Sequence, residues 1–463
     1  MSELPKGWAA ATLNDLLGAG GLFSDGDWVE SKDQDPDGQN RLLQLADIGD
    51  GFFVDKSSRF VNDEKFSSLN CTEVKAGDVL IARMPDPLGR ACLMPAIPQR
   101  CLTVVDVAVF RVGDTGVSNK WLMHFLNSSP VRLEIELNSS GTTRKRISRG
   151  RLGEILLPVP PLAEQTRIAA KLDELLAQVD TLKARIDAIP TLLKRFRQSV
   201  LAAAVSGRLT EEWRGLHPER PTLSIEDLEL GIKSSGFKTK AKGIAATQVS
   251  AISGWVDAPL GAVFSVKSGD GLTAKEMNEA GNIPVYGGNG VNGHHTECNV
   301  TTRTVVIGRV GYYCGSVHFT PSNAWVTDNA LIVSYPSALF DIHFVYWLLL
   351  GTNLRENTSS SAQPVISGEK IYPLNLSIPP LTEQVEIARR VKQLFAIAEQ
   401  LEAKVATAQA RINHLTQSIL AKAFRGELVP QDPNDEPASV LLERIKAQRA
   451  AAPKAKRGRK ASA

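Results

Sequence analysis

Five cations crowd into eight residues at Arg144, Lys145, Arg146, Arg149 and Arg151, with no acid among them. Groups at that density suit the neutralisation of phosphates, and a solvated surface is the plainer use of the same residues. Other residues with chemical potential do not complete a site. His294 and His295 are adjacent but lack cysteine or histidine partners at ligand spacing, so they read as loop residues rather than zinc ligands. The glycine-rich YGGNGVNG lacks the lysine of a phosphate-cradling loop and reads as a turn or an exposed recognition loop. PDPLG, from Pro85, has the first half of a nuclease motif, but no acid-x-lysine follows closely. There is no G-x-x-x-x-G-K-[ST], no H-E-x-x-H and no G-x-S-x-G. An enzyme acting alone is therefore not expected.

One phrase is written twice. Pro-Pro-Leu-x-Glu-Gln occupies Pro160–Gln165 and again Pro379–Gln384, 219 residues apart. Sliding the chain by that offset aligns Pro160–Leu209 with Pro379–Leu428 without a gap, and 18 of the 50 positions are identical. Each copy opens a long helix. Leu172, Leu175, Val179, Leu182, Ile186, Ile189, Leu193, Phe196 and Val200 step by three and four, and their repeat partners from Val391 to Ile419 keep the same register. An apolar seam of that period over four heptads predicts a coiled coil. The prolines suit a helix start, and Glu164 and Glu383 complement the dipole in the first turn. Gly207 and Gly426 suit the ends, and Pro190 predicts a kink. About 43 helical residues make a rod of about 65 Å.

These helices must position something. A length of 463 residues allows two to four domains. The expected division is 1–158, a first domain; 159–208, the first helix; 209–251, a linker with a short helix; 252–377, a second domain; 378–427, the second helix; and 428–463, a last segment. Both domains read as α+β, with short β-branched runs such as GDVLIAR and TVVIGRV between Gly-, Asn- and Pro-rich turns. They are weakly alike: KGWAAATLNDLL matches SGWVDAPLGAVF, Arg83 matches Arg309, Asp106 matches Asp328, and RISRGRL matches VISGEKI, at offsets that fall steadily from 247 to 219. Connectivity then predicts an antiparallel coiled coil with a domain at each end, related by a pseudo-twofold axis.

The totals narrow the setting. No apolar run approaches the roughly 18 to 20 residues needed to cross a bilayer, and MSELPKGW has no signal-peptide character, so no membrane partner is expected. The five cysteines are odd in number with no C-x-x-C spacing, which predicts a reduced, cytoplasmic protein. The net charge of +3 is nearly balanced and announces no partner. The terminal APKAKRGRKASA reads as disordered.

Two variable domains, each followed by a heptad helix opening with P-P-L-x-E-Q, resemble the specificity (S) subunit of type I restriction–modification enzymes. Ile147-Ser148 and Ile366-Ser367, TQSILAKAFRGEL and WVTDNALIV also carry the resemblance, which covers about residues 4–428. RFRQSVLAAAVSGRLTEEWR is similar to the enteric prototype group. The resemblance implies that the two domains are target-recognition domains reading the halves of a bipartite double-stranded DNA target. It implies a coiled coil that sets the gap and docks two methyltransferase (M) subunits, which restriction (R) subunits join. S-adenosylmethionine, ATP and Mg are then expected on partner subunits and no cofactor, metal or catalysis in this chain.

Base contacts do not transfer by motif, because recognition domains diverge with their targets. Side chains suited to base edges, in or beside turn-rich loops, are Asn289, Asn292, His294, Arg303, Arg309 and Tyr312, with Arg83 in the first domain. The Arg144–Arg151 cluster suits phosphates, which carry affinity without sequence information. The competing expectation is a coiled-coil adaptor with no affinity for DNA; a stand-alone nuclease or methyltransferase is the third.

Overall fold

The computed structural model describes residues 4–141, 144–240, 246–277, 280–358 and 364–451; the basic tail lies outside the described residues. In the first domain, β1 (Ala9–Thr12) and β9 (Leu156–Val159) pair antiparallel, Ala9 opposite Val159, and so join the two ends of the domain. Between them run β2 (Leu22–Asp25), β3 (Asn40–Leu43), β4 (Phe60–Val61), α1 (Asp63–Ser68), β5 (Val79–Ala82), β6 (Ala91–Leu93), β7 (Cys101–Thr103) and β8 (Val107–Arg111). Three helices follow: α2 (Asn119–Leu126), α3 (Ser129–Leu137) and α4 (Arg149–Gly153). One sheet has the order β2-β8-β5-β6 and the other β4-β3-β7, with β3 and β7 parallel.

The apolar runs VLIA and VAVFR are buried at nearly every position because β5 and β8 are covered on both faces. Side chains alternate between two cores, as a period of two demands. Val79, Ile81, Ala108 and Phe110 pack with Trp121 and Leu122 of α2. Leu80, Val107 and Val109 pack on the other side with Leu43, Ile48 and Cys101.

α5 (Leu162–Val205) is a single 44-residue helix that includes Pro190. Short helices α6 (Glu211–Leu216) and α7 (Ile225–Ser234) follow. The second domain then repeats the first, with one strand, β10, added at its start. β10 (Gln248–Val249), β11 (Val256–Pro259) and α8 (Leu260–Val263) open it, and β11 pairs antiparallel with the last strand. β12 (Ser265–Ser268), β13 (Ile283–Gly287), β14 (Gly290–His295), β15 (Val305–Gly308), β16 (Val317–Phe319), β17 (Trp325–Val326) and β18 (Ala330–Ser334) follow, then α9 (Ile342–Gly351), α10 (Gly368–Ile371) and β19 (Asn375–Ile378). The sheet orders are β12-β18-β15-β16 and β14-β13-β17, again with one parallel pair, β13 and β17. α11 (Leu381–Phe424) is the second 44-residue helix, and α12 (Ala438–Ala451) ends the described chain.

The chain divides into two compact units, residues 1–187 with 407–463, and residues 188–406. Within the first, the start of α5 lies against the end of α11. Gln409 Nε2 donates to Asp187 Oδ1 at 2.7 Å, and Arg167 pairs with Asp435 at 2.6 Å, so numbers rise in one segment as they fall in the other. Within the second, Arg197 pairs with Glu402 and Arg390 donates to the Leu209 carbonyl at 3.0 Å, the same antiparallel sense. In both units one heptad position is buried, apart from the half-buried Ile186. Leu172, Val179, Ile412 and Ile419 are at most 9% exposed in the first, as are Leu193, Val200, Val391, Ala398 and Val405 in the second. The alternate position is open at Leu182 and Leu415 in the first unit and at Phe196 and Leu401 in the second.

The segment after each long helix packs on the domain in its own unit. α7 buries Leu228 and Ile232 in the second domain's core, and Leu223 N donates to the Gly254 carbonyl at 3.0 Å. α12 buries Leu441 and Ile445 in the first domain's core, and Ala438 N donates to the Gly7 carbonyl at 2.8 Å.

Candidate nucleic-acid interface

The doubled P-P-L-x-E-Q is a joint. Trp8 Nε1 donates to Glu164 Oε2 at 2.9 Å, and Trp255 Nε1 donates to Glu383 Oε2 at the same distance. Gln165 Nε2 donates to the Pro160 carbonyl, and Gln165 Oε1 accepts the Ser118 N–H, at the N-cap of α2. Gln384 Nε2 donates to the Pro379 carbonyl, and Gln384 Oε1 accepts the Asp341 N–H, at the N-cap of α9. Each long helix is thereby locked to its domain at the first strand and at the main helix. All four side chains are at most 1% exposed, so no substrate reaches them.

The joints differ in charge. Glu383 Oε1 also takes the Arg214 guanidinium and the Thr210 hydroxyl, both at 2.6 Å. Glu164 Oε1 has no hydrogen-bond partner, and burial raises that carboxyl above its usual range against the Trp8 hydrogen bond.

Arg83 stands at the end of β5 but faces inward. It is 5% exposed, donates to the carbonyls of Ile147 (3.0 Å) and Val105 (3.2 Å), and pairs with Asp25. Burial first, then the positive Arg146 and Arg149 nearby, lower its pKa to about 10. This corrects the expectation that Arg83 offers itself to a base edge: it is a clamp beneath the surface that the basic cluster forms. Arg144, Lys145, Arg149 and Arg151 are exposed, and Arg146 is half-buried. Lys145 pairs with Glu136, Arg146 with Asp106 at 3.5 Å, and Arg149 with Asp25 at 3.6 Å. The Arg151 guanidinium donates to the Asn138 carbonyl at 2.9 Å. Six cations, counting Arg83, thus meet three carboxylates, leaving a local excess of three. Exposed pairs of this kind contribute little, so phosphates can replace the carboxylates at small cost.

In the second domain Asn289 sits exposed at the turn of the β13–β14 hairpin, and Asn292 and His294 are exposed on one face of β14. A Cβ at Gly287 would lie 2.1 Å from Asn292 Nδ2, the end of an exposed side chain that can turn aside. The turn abuts the loop after β15: the Ser316 hydroxyl donates to the Gly288 carbonyl at 2.8 Å. That loop carries Arg309 and Tyr312. Arg309 repeats the Arg83 position, since Ile366 N donates to its carbonyl as Ile147 N does to that of Arg83. Among the described residues it has no carboxylate partner, however; its guanidinium reaches Ser268 Oγ (3.3 Å) and the Asp328 carbonyl (3.2 Å). Tyr312 is 84% exposed, edge-on to Tyr313, while Arg355 ties down the carbonyls of Tyr312 and Cys314. The structure therefore brings Asn289, Arg309 and Tyr312 to one end of the domain. Arg303 lies 4.3 Å over the Phe319 ring and lines one cleft with Asn289.

The Trp8–Glu164 and Trp255–Glu383 pairs were not found from the sequence. A signal existed, because Gly-Trp and Glu-Gln both recur across the duplication. Among the described residues no group of three or more His, Cys, Asp or Glu side chains is placed to hold a metal, and no helix is long and apolar enough to cross a membrane. The five cysteines are free; burial pushes Cys71 and Cys101 up to about 11 and Cys92 to about 12, so these three stay unreactive thiols at neutral pH.

Comparison with known proteins agrees with this architecture. The model of the type I restriction modification DNA specificity domain matches residues 5–191 and 252–407. The specificity subunit of the type I restriction enzyme EcoKI of Escherichia coli K12 is 35% identical over 364 residues, 74% of either chain. The StySPI specificity subunit of Salmonella potsdam is 37% identical over 367 residues, again 74% of either chain. Among solved structures, a chain from work on complex assembly and conformational transition of the type I R-M system aligns over 92% of this chain and 100% of its own, with a TM-score of 0.62 at 17% identity. The HsdS subunit of Thermoanaerobacter tengcongensis aligns over 92% and 98%, with a TM-score of 0.55 at 18% identity. At those identities the likeness is one of fold.

Proposed function

The chain belongs to the family of type I restriction–modification DNA specificity subunits, and from that premise we propose that each mixed domain reads one half of a bipartite DNA target. The observation that carries this reading is the duplication, sheet order for sheet order, of a domain with a buried Trp–Glu joint onto its own long helix. A reading head fixed rigidly to a spacer suits two half-sites at a set separation.

Asn289, Asn292, His294, Arg309 and Tyr312 supply base-edge and groove contacts on the second domain, with Arg303 beside them. Arg144, Lys145, Arg146, Arg149 and Arg151 hold phosphates on the first. The paired helices set the unread gap. Two methyltransferase subunits dock along the open heptad positions, Leu182 and Leu415 in one unit and Phe196 and Leu401 in the other, since apolar seams left open on a coiled coil favour partner helices. Restriction subunits join that complex in the cytoplasm. S-adenosylmethionine, ATP and Mg act on the partners, and this chain contributes recognition without chemistry.

The test is footprinting of the chain purified with its cognate methyltransferase subunits. Protection of two short tracts separated by an unprotected gap is expected, with affinity falling steeply as salt rises. An adaptor would show no salt-dependent binding to duplex, and methyl transfer by the isolated chain would point to an enzyme instead.

A further inference from the structure

Beside the β13–β14 hairpin, within the second unit, lies an open cleft of about 620 Å³. Its wall is aromatic: Phe319 stacks on Tyr346 at 4.4 Å, and Trp347 meets Tyr346 at 4.6 Å. Asn289, Arg303 and Lys392 also line it. Arg303 and Lys392 are exposed, and among the described residues neither has an ion pair. Glu386, one turn and a half before Lys392 on α11, is already held by Arg389 and Arg390.

The fold does not require cations here. At the repeat offset, Lys392 corresponds to Asp173, which is closed off by Lys120 (2.6 Å) and His124 (3.0 Å) in the first unit. The depression that Asp173 lines is about half the size and includes Asp50 and Asp180. One copy of the duplication is thus acidic and satisfied, and the other is cationic and aromatic, with no ion pair among the described residues.

We propose that this cleft binds a nucleotide, the base stacking on Trp347 and the phosphates pairing with Arg303 and Lys392. Aromatic rings lining an open cleft, beside cations that among the described residues carry no ion pair, match a flat heterocycle joined to an anion. The volume suits a ligand of that size. Asn289 stands at the rim with donors and an acceptor for a base edge. The same chemistry comes from a free nucleoside triphosphate or from an unpaired nucleotide in a DNA strand; the site shares Asn289 and Arg303 with the target-reading surface proposed above, while the aromatic wall and Lys392 belong to the cleft alone.

The test uses the full chain, titrated separately with ATP and with a single-stranded thymidine octamer, reading tryptophan fluorescence. Saturable quenching by at least one probe is expected. Trp347→Phe should abolish most of the quench, and Arg303→Ala with Lys392→Ala should weaken binding at least tenfold with an unchanged circular dichroism spectrum. Quenching by ATP alone assigns a free nucleotide; quenching by the octamer alone assigns a DNA strand. Binding of ATP by a chain that protects no bipartite site keeps this proposal and removes target reading. The proposal is overturned if neither probe quenches, if the double variant binds both as the parent does, or if that variant loses only its methyltransferase partner, which would make the cleft a protein-docking surface.

Discussion

At Glu164 and Glu383 one residue type at one repeated position meets two electrostatic situations. Glu383 faces a guanidinium, Arg214, whose side chain is 12% exposed. Glu383→Gln leaves that cation buried without its counter-charge and should cost about 3 kcal/mol in the second unit. Glu164 has no such partner and its folded pKa is raised by burial. A raised folded pKa means that this carboxyl's contribution is fully present below its unfolded pKa and is lost as pH rises through the folded value. Glu164→Gln should therefore match or exceed the parent in melting temperature at pH 7, with the advantage shrinking toward pH 4. Equal losses in both variants at pH 7 would defeat the distinction. The cations of the first domain carry a second expectation. If Arg144, Lys145, Arg149 and Arg151 hold phosphates, each alanine variant should weaken binding to every duplex alike. Each should also flatten the slope of log K against log salt by about 0.9. A variant that changes sequence preference instead would place that residue on a base.

The long helices are the elements most open to reading, because a heptad is a local pattern and both copies declare it. The sequence treats the two apolar positions of each heptad as equal, and the structure does not. Leu172 is fully buried against a core that includes Trp8 and Trp121, whereas Leu182 is 46% exposed. Leu172→Ala should cost about 2 to 5 kcal/mol in thermal or denaturant unfolding, and Leu182→Ala about 0.5 kcal/mol. Leu182→Ala with Leu401→Ala should nonetheless reduce co-purification of the methyltransferase subunits; intact co-purification would move the docking surface elsewhere. What was not legible is what depends on distant chain. Trp8 and Glu164 are 156 residues apart, and Trp255 and Glu383 are 128 apart, so spacing alone does not pair them. Arg83 and Arg309 match in sequence, yet among the described residues only Arg83 has an aspartate, Asp25, to hold it inward. Burial of a cation is set by such a partner rather than by its own strand.

At the scale of the whole chain, each domain is closed by an early strand paired with its last, β1 with β9 and β11 with β19, and ends in its own Trp–Glu joint. A domain bounded in this way is a cassette: its reading loops lie between two fixed strands, and the helix beyond the joint does not depend on them. Residues 252–377 of another specificity subunit, grafted so that Trp255, Glu383 and Gln384 keep their partners, should therefore bring a new half-site while the first half-site and the gap stay as they were. Methylation mapping of a host carrying the chimera and the parental methyltransferase subunits reads the result directly. A target changed in one half supports two independent readers on a common spacer. A target changed in both halves, or in the gap, would mean that the domains read DNA jointly and that the joints transmit more than position.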